Sequence, residues 1–175
     1  MVVYDATTGK VIEKRTAQGY QAESTWARGQ AWGIYGFTMC FRETKDTTYL
    51  NTAVKMADYF INHLPSDYIP YWDLNLPEDH PKKFRDASAA AIFLSGALEL
   101  RNYVKNPEKY DRVINKIMDT IIMNYLSGGI HSSGILTHCA YNVNSANPDD
   151  RDASTIWGDY YFLEAIKRYK NVKQK

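Results

Sequence analysis

Apolar side chains recur at helical spacing along two stretches of the chain. Between residues 46 and 64, and again between 106 and 126, they fall three or four positions apart, which places them on one face of a helix. Charged and polar residues fill the opposite faces, so both predicted helices are expected to lie on the outside of the molecule. Asn106 is a favourable N-cap, and Pro107 suits the first helical position.

Three further stretches, residues 25–43, 86–104 and 153–169, predict helices with a different pattern. Their first turns are apolar or small nearly all round, as expected for helices that are covered on most sides. Asp86 and Asp152 stand at the start of two of these stretches and are N-cap candidates. We interpret all three stretches as inner helices.

The inner and outer helices alternate, and part of the pattern repeats. The sequence Arg-Asp-Ala-Ser occurs at 85–88 and at 151–154, each time opening a predicted inner helix. Hairpins of one inner and one outer helix cannot bury their faces alone, so repeated hairpins are expected to close into a toroid or to stack as a solenoid. The predicted fold class is all-α in one domain, 1–175, with a small β-hairpin over 2–13 and long loops over 65–84 and 127–150.

The charge of the chain is nearly balanced, with 21 Lys and Arg against 20 Asp and Glu among 175 residues. There is no basic stripe, which argues against nucleic acid or an anionic membrane as a partner, and no apolar run approaches the length of a membrane span. The two cysteines and four histidines lack the spacing of metal ligands, so no metal site and no cofactor are expected. We interpret His131 and His138 as partners in loop hydrogen bonds.

Two indoles and a guanidinium lie within seven residues at the start of the first inner helix: Trp26, Arg28 and Trp32. Arginine is seldom fully buried without a partner, and a buried indole N–H needs an acceptor. One interpretation is that both indoles belong to the core and that Arg28 pairs with a structural acid. The other is a binding surface for an acidic sugar, because flat aromatic faces beside a fixed cation suit a ligand that is part ring and part carboxylate.

Five segments of the chain together resemble a known family. They are Thr16–Tyr20, Ser24–Gly36, Pro70–Asp73, Arg85–Ala91 and Trp157–Tyr161. In this order they are similar to motifs of the unsaturated glucuronyl hydrolases of glycoside hydrolase family 88. A sister group that acts on unsaturated rhamnogalacturonan fragments shares Trp-Ala-Arg-Gly but typically continues with Asn-Gly-Trp. This chain continues with Gln30-Ala31-Trp32, which favours family 88.

The resemblance implies an (α/α)6 barrel of six helical hairpins, of which this chain is expected to supply the C-terminal half. Members of the family add water across the C4=C5 double bond of an unsaturated uronic acid, at the non-reducing end of an oligosaccharide left by polysaccharide lyases. One Asp acts as general acid and base, and a second Asp sets its protonation state. Both belong to the family's N-terminal half, so no catalytic residue is assigned and the isolated chain is expected to be inactive. The bacterial cytoplasm and the periplasm both stay open as compartments.

Five positions match residues that line the sugar pocket in the family: Gln18, Trp26, Arg28, Trp32 and Tyr141. The resemblance implies that Gln18 lies near the reacting atoms, that the indoles stack on the sugar, and that Arg28 pairs with the uronate carboxylate. The expected partners are an unsaturated uronic-acid oligosaccharide and either the missing N-terminal half or a second copy of the chain. The alternatives are a non-catalytic helical-repeat interaction module and a fragment resembling an unsaturated rhamnogalacturonyl hydrolase.

Overall fold

Helices account for most of the chain. The computed structural model describes residues 1–128 and 133–173. These residues form a two-stranded antiparallel sheet followed by five α-helices: β1 (Val2–Tyr4), β2 (Val11–Lys14), α1 (Ala27–Thr44), α2 (Thr47–Asn62), α3 (Ala87–Leu100), α4 (Pro107–Asn124) and α5 (Ile156–Lys173). The predicted all-α class and the N-terminal hairpin are thus confirmed. None of the described helices is both long and apolar enough to cross a membrane.

The centre of the fold is α3, which packs against α1 on one side and α5 on the other. Nearly every residue of α3 is buried, as predicted for an inner helix. A Cβ added at Gly96 would lie 3.1 Å from the backbone of Tyr35, so glycine at this position lets α1 and α3 approach closely. The Phe93 ring stacks on Phe60 of α2 at 4.5 Å between centroids. The inner helix α3 therefore packs directly against the outer helix α2.

The outer helices α2 and α4 bury one face each, as their periodicity predicts. Asp58 of α2 accepts hydrogen bonds from Lys109 Nζ at 2.6 Å and from the Tyr110 hydroxyl at 3.3 Å, and these contacts join the two outer helices at the surface. Pro107 occupies the first turn of α4 as predicted. Asn106 precedes it, but its side chain makes no capping hydrogen bond.

Three predicted boundaries of inner helices are wrong by three or four residues. The α3 helix ends at Leu100 rather than at 104, because Asn102 Nδ2 donates to the carbonyls of Leu98 and Glu99 and so closes the last turn. The α5 helix begins at Ile156 rather than at 153 and ends at Lys173 rather than at 169.

Asp152 is not the N-cap of α5. Its carboxylate lies 2.9 Å from His138 Nδ1, and Ala153 exchanges two backbone hydrogen bonds with Cys139. Thr155 takes the capping position, since its Oγ1 accepts from the Gly158 N–H at 3.3 Å. The prediction that His138 serves loop hydrogen bonding is confirmed, whereas His131 lies outside the described residues.

The three inner helices are not equally covered, contrary to the prediction. Ile156, Tyr160 and Leu163 of α5 each leave more than half of their surface exposed. Only α3 has an inner helix on both sides, because α1 and α5 lie at the two ends of the inner layer. The outward flank of α5 consequently has no neighbour among the described residues.

Candidate functional site

The start of α1 is held against the long loop that precedes α3. The Ala27 N–H donates to the Trp72 carbonyl at 3.0 Å, and the Leu74 N–H donates to the Thr25 carbonyl at 2.8 Å. These antiparallel contacts place Trp26 directly before the first turn of α1. Its position is therefore set by backbone pairing as well as by the helix.

Arg28 is paired with a structural acid. Its side chain is only 3% exposed, and Nη1 lies 2.5 Å from Oδ2 of the fully buried Asp86. Asp86 in turn caps α3, because its other oxygen accepts from the Ala89 N–H at 3.2 Å and from the Ser88 hydroxyl at 2.5 Å. The predicted N-cap role of Asp86 is confirmed. The ion pair ties α1 to the first turn of α3.

The Arg28 guanidinium also reaches the Ser88 hydroxyl, with Nη1 at 3.4 Å, and the loop before α5. Nη1 donates to the Ala140 carbonyl and Nη2 donates to the Tyr141 carbonyl, each at 2.7 Å. Gln18 approaches the same Tyr141 carbonyl, with Nε2 at 3.4 Å. Three of the five predicted site residues, Gln18, Arg28 and Tyr141, therefore meet at one carbonyl oxygen.

Aromatic rings surround this point. The Arg28 guanidinium carbon lies 4.6 Å from the Trp26 ring centroid and 5.6 Å from that of Trp157. The Tyr141 ring lies 5.6 Å from Trp157, whose indole N–H donates to the Ser88 hydroxyl at 3.3 Å. Tyr141 is 44% exposed, so this part of the surface is open to a ligand. We call Gln18, Trp26, Arg28, Tyr141 and Trp157 the aromatic wall.

Trp32 lies apart from the aromatic wall, further along α1. Its half-buried ring meets Tyr161 of α5 edge to face at 4.9 Å, and Tyr35 meets the same tyrosine at 5.1 Å. Trp32 also packs against the main core. The structure thus brings four of the five predicted site residues together and leaves Trp32 six positions, about 1.7 helical turns, beyond Trp26.

Two residues of this region were not predicted as site residues. Trp157 belongs to a segment that carries the family resemblance, and that membership is the signal that could have identified it. Asp86 was interpreted only as a helix cap, and its pairing with Arg28 joins positions 58 residues apart. Such a long-range pair leaves no trace in local spacing.

The carboxylates around the aromatic wall are engaged in structural contacts. Asp86 is paired with Arg28, and the fully buried Asp73 accepts from the Tyr20 N–H at 2.9 Å and the Ser24 hydroxyl at 2.7 Å. Asp159 accepts from the backbone N–H groups of residues 135 and 136, at 3.0 and 2.9 Å. Each of these acids therefore has a role in holding the fold.

Burial raises the pKa of one thiol near Asp86 and of two phenols near Trp32. It raises the pKa of the Cys139 thiol to about 12, with the Asp86 charge as a further cause. Burial, followed by the charge of Glu164, also raises the pKa of Tyr35 and of Tyr161 above the ordinary value. These groups accordingly stay neutral at physiological pH and present uncharged surfaces.

Comparisons with known proteins show what the chain is similar to. No family model matches the chain. An unsaturated glucuronyl hydrolase of Formosa agariphila is 41% identical over 179 residues, covering 98% of this chain and 43% of the relative. A crystal structure of an unsaturated glucuronyl hydrolase specific for heparin matches with a TM-score of 0.89 and 39% identity, over 99% of this chain and 47% of that chain. The chain is homologous to part of the unsaturated glucuronyl hydrolases.

A third match bears on the ligand. A variant of the unsaturated glucuronyl hydrolase from Streptococcus agalactiae, solved in complex with dGlcA-GalNAc6S, has a TM-score of 0.81 and 36% identity over 95% of this chain and 45% of that chain. The chain spans less than half the length of these unsaturated glucuronyl hydrolases. The family resemblance and the helical toroid fold predicted from the sequence are confirmed by these matches.

Proposed function

We propose that this chain supplies one sugar-holding wall of an unsaturated glucuronyl hydrolase, an enzyme that hydrates the C4=C5 double bond of an unsaturated uronic acid at the non-reducing end of an oligosaccharide. The observation that carries the proposal is the gathering of Gln18, Trp26, Tyr141 and Trp157 around the buried Arg28. The homologous enzyme crystallised with dGlcA-GalNAc6S supports the ligand class.

The chemistry of the aromatic wall suits an acidic sugar. Indole and phenol faces stack on the C–H faces of a pyranose ring, and a ring already held by packing loses little entropy when it binds. Arg28 is held by Asp86 and by the carbonyls of residues 140 and 141, so contact with the uronate carboxylate is left to the N–H groups that these partners do not use. Trp32, deeper along α1, would extend the aromatic surface toward Tyr161.

We further propose that the isolated chain does not turn over its ligand. Hydration of the double bond needs a general acid and base near the reacting carbons. The carboxylates beside the aromatic wall, Asp73, Asp86 and Asp159, are all hydrogen-bonded to structural partners. The acid and base would come from the part of the family that this chain does not span.

A binding measurement tests the sugar-holding wall, and a turnover measurement tests the proposed inactivity of the isolated chain. Isothermal titration calorimetry with an unsaturated glucuronyl disaccharide should show binding, and the change Trp26→Ala should weaken it about tenfold, as loss of a stacking partner of 1 to 1.5 kcal/mol implies. Tyr4→Ala, an exposed aromatic residue outside the wall, serves as the control and should bind normally. An unsaturated rhamnogalacturonyl disaccharide that bound better would favour the sister group.

Turnover is followed by the loss of ultraviolet absorbance of the conjugated double bond. The isolated chain should leave this absorbance unchanged. A steady decrease would contradict the assignment of the acid and base to the rest of the barrel. Absence of binding in the calorimeter would instead contradict the sugar-holding wall itself.

We also propose that the outward flank of α5 is an interface. Ile156, Tyr160 and Leu163 expose an apolar strip that the rest of a toroid, or a second copy of the chain, would cover. The same strip favours the alternative of a non-catalytic interaction module, which would self-associate but show no sugar binding. Light scattering should give a mass above that of one chain, and a well-behaved monomer would contradict the proposal.

A further inference from the structure

We propose that Asp73 is a positioning residue that holds residues 18–26, which we call the wall segment, and with them Gln18 and Trp26, in the arrangement of the aromatic wall. The inference rests on the proposed function, because it gives the wall a dedicated anchor. Asp73 belongs to the loop before α3 and contacts no sugar-facing surface itself, since its side chain is fully buried.

The two carboxylate oxygens of Asp73 accept hydrogen bonds from different parts of the chain. Oδ2 accepts from the Tyr20 N–H at 2.9 Å and from the Ser24 hydroxyl at 2.7 Å, both in the wall segment. Oδ1 accepts from the Asn75 N–H at 2.9 Å and so fixes the turn that carries the carboxylate. No cation among residues 1–128 and 133–173 lies within ion-pair distance of Asp73. Its charge is therefore balanced by hydrogen bonds from the segment that it holds.

The segment has further attachments: Asn144 Nδ2 donates to the Gly19 carbonyl at 3.1 Å, and the Tyr20 ring meets His80 edge to face at 5.1 Å. Backbone pairing holds its C-terminal end. Thr25 and Ala27 pair with the strand-like stretch around Asp73. Residues 19–24 loop away from that pairing, and the Asp73 carboxylate reaches them on their inner side. A Cβ at Gly19 would come within 3.2 Å of Asp73 Oδ2, which shows how closely the loop is drawn to the carboxylate.

The contacts of Asp73 predict a local effect rather than a global one. They go to the wall segment and to the turn at Asn75, whereas the helices are held together by α3. Loss of the carboxylate should therefore free Gln18 from the Tyr141 carbonyl. It should also weaken the backbone pairing at Trp26, directly before α1. The packing of α3 against its neighbours should be unaffected.

The matched control is Asp67. It lies in the same loop before α3, and its carboxylate pairs with Arg85 Nη2 at 2.9 Å without contact to the wall segment. Asp67→Asn and Asp73→Asn therefore make the same chemical change at two points of one loop. Ser24→Ala removes the bond to Asp73 from the other side, with the carboxylate in place, together with the hydrogen bond that Ser24 Oγ accepts from the Gln21 N–H at 2.9 Å. Because Tyr20 binds Asp73 and not Ser24, the Tyr20 amide remains the direct readout.

Two measurements on the 175-residue chain decide the proposal. Amide hydrogen exchange, followed by nuclear magnetic resonance, should show Tyr20 exchanging at least about tenfold faster in Asp73→Asn, with α3 amides unchanged and Asp67→Asn like the original chain. Calorimetry should show the unsaturated disaccharide bound about tenfold more weakly by Asp73→Asn. Ser24→Ala should shift both readouts in the same direction by less.

Several results would overturn the role of Asp73. One is an unchanged Tyr20 exchange rate, and another is faster exchange at Tyr20 and α3 in parallel, which would mean a global loss of stability. A third is an unchanged affinity together with a loosened segment. If the original chain does not bind the disaccharide at all, the sugar-holding wall fails, whereas the exchange data still decide whether Asp73 holds the segment. If Asp73→Asn does not fold, Ser24→Ala gives the decision.

Discussion

At the scale of single residues, the Arg28–Asp86 pair determines how the aromatic wall can be tested. Both side chains are buried, so truncation of one leaves an uncompensated charge in the interior. We predict that Arg28→Ala lowers the free energy of unfolding by about 3 to 5 kcal/mol in urea titrations. The comparable change at a surface pair, Lys109→Ala opposite Asp58, should cost less than about 1 kcal/mol.

A small effect of Arg28→Ala would contradict this account of the pair. A large effect has a practical consequence, because weak sugar binding by that variant could reflect partial unfolding. Arg28→Lys keeps a charge beside Asp86 and removes the planar fork that suits a carboxylate. It is therefore the better variant for binding measurements.

The two thiols of the chain should differ in reactivity. Cys139 is fully buried, and its pKa is raised to about 12, so at about pH 8 it is almost entirely a neutral thiol, whereas the thiolate is the nucleophile. We predict that an alkylating reagent modifies the half-buried Cys40 first and reaches Cys139 only after unfolding. Mass spectrometry of tryptic peptides measures the extent of alkylation at each cysteine, with Cys40→Ser as the control. Rapid modification of Cys139 in the folded chain would contradict the prediction and would show that the loop between α4 and α5, which carries Cys139, opens.

At the scale of elements, the start of α5 depends on Thr155. Its hydroxyl accepts from the Gly158 N–H, and its carbonyl accepts from the Asp159 N–H, the pattern of an N-cap residue. We predict that Thr155→Ala lowers the free energy of unfolding by about 1 kcal/mol and that Thr155→Ser restores most of it. Asp152→Ala should change it by no more than about 0.5 kcal/mol, because its pair with His138 is exposed. A larger effect at Asp152 than at Thr155 would reverse the assignment of the cap.

The sequence predicted the elements better than their ends. The outer helices α2 and α4 were predictable because each buries a single face, and periodicity reports one-sided burial directly. The first residue of α5 was not, because the Arg-Asp-Ala-Ser repeat suggested a cap at Asp152. That carboxylate is used instead by His138, across a loop. Local pattern cannot indicate which of two nearby polar groups a distant residue will engage.

The candidate site, like the helices, could be predicted from the sequence only in part. Trp26 and Arg28 were identified from their spacing and from the family resemblance, and a structural acid for Arg28 was one of the two interpretations considered. That Asp86 is this acid, and that Trp157 completes the aromatic wall, follows only from the packing of α1, α3 and α5. Each contact joins two helices that are far apart in sequence, so it exists only once those helices have packed together.

At the scale of the whole molecule, the exposed flank of α5 follows from its place at one end of the inner layer. The hydrophobic sequence of α5 predicts a covered helix, but periodicity reports how apolar a helix is and not whether a neighbour is there to cover it. The chain spans less than half the length of these unsaturated glucuronyl hydrolases, and under the interface proposal the rest of a toroid or a second copy of the chain would cover this flank. A toroid closes its inner layer only when the last inner helix meets the first.

The whole molecule also has a characteristic dependence on alkaline pH. Burial raises the pKa of several tyrosines, which are Tyr35, Tyr103, Tyr110, Tyr125 and Tyr161. In the unfolded chain these phenols ionise near pH 10, whereas in the folded chain they keep their protons to higher pH. The unfolded state therefore binds fewer protons above pH 10. The stability is fully present below that pH and falls as the pH rises toward the folded-state values.

Tyr110 is the sharpest probe of this effect. It is buried between the outer helices, and burial together with the nearby Asp58 charge raises its pKa far above the ordinary value. We predict that the free energy of unfolding, measured in urea between about pH 8 and pH 11, declines above pH 10. Tyr110→Phe should reduce that decline by about 1 kcal/mol between pH 10 and pH 11, because the limiting slope for one phenol is about 1.4 kcal/mol per pH unit. Tyr4→Phe, an exposed phenol in β1, should leave the slope unchanged. An identical slope in both variants would mean that the Tyr110 hydroxyl ionises as readily in the folded chain as in the unfolded one.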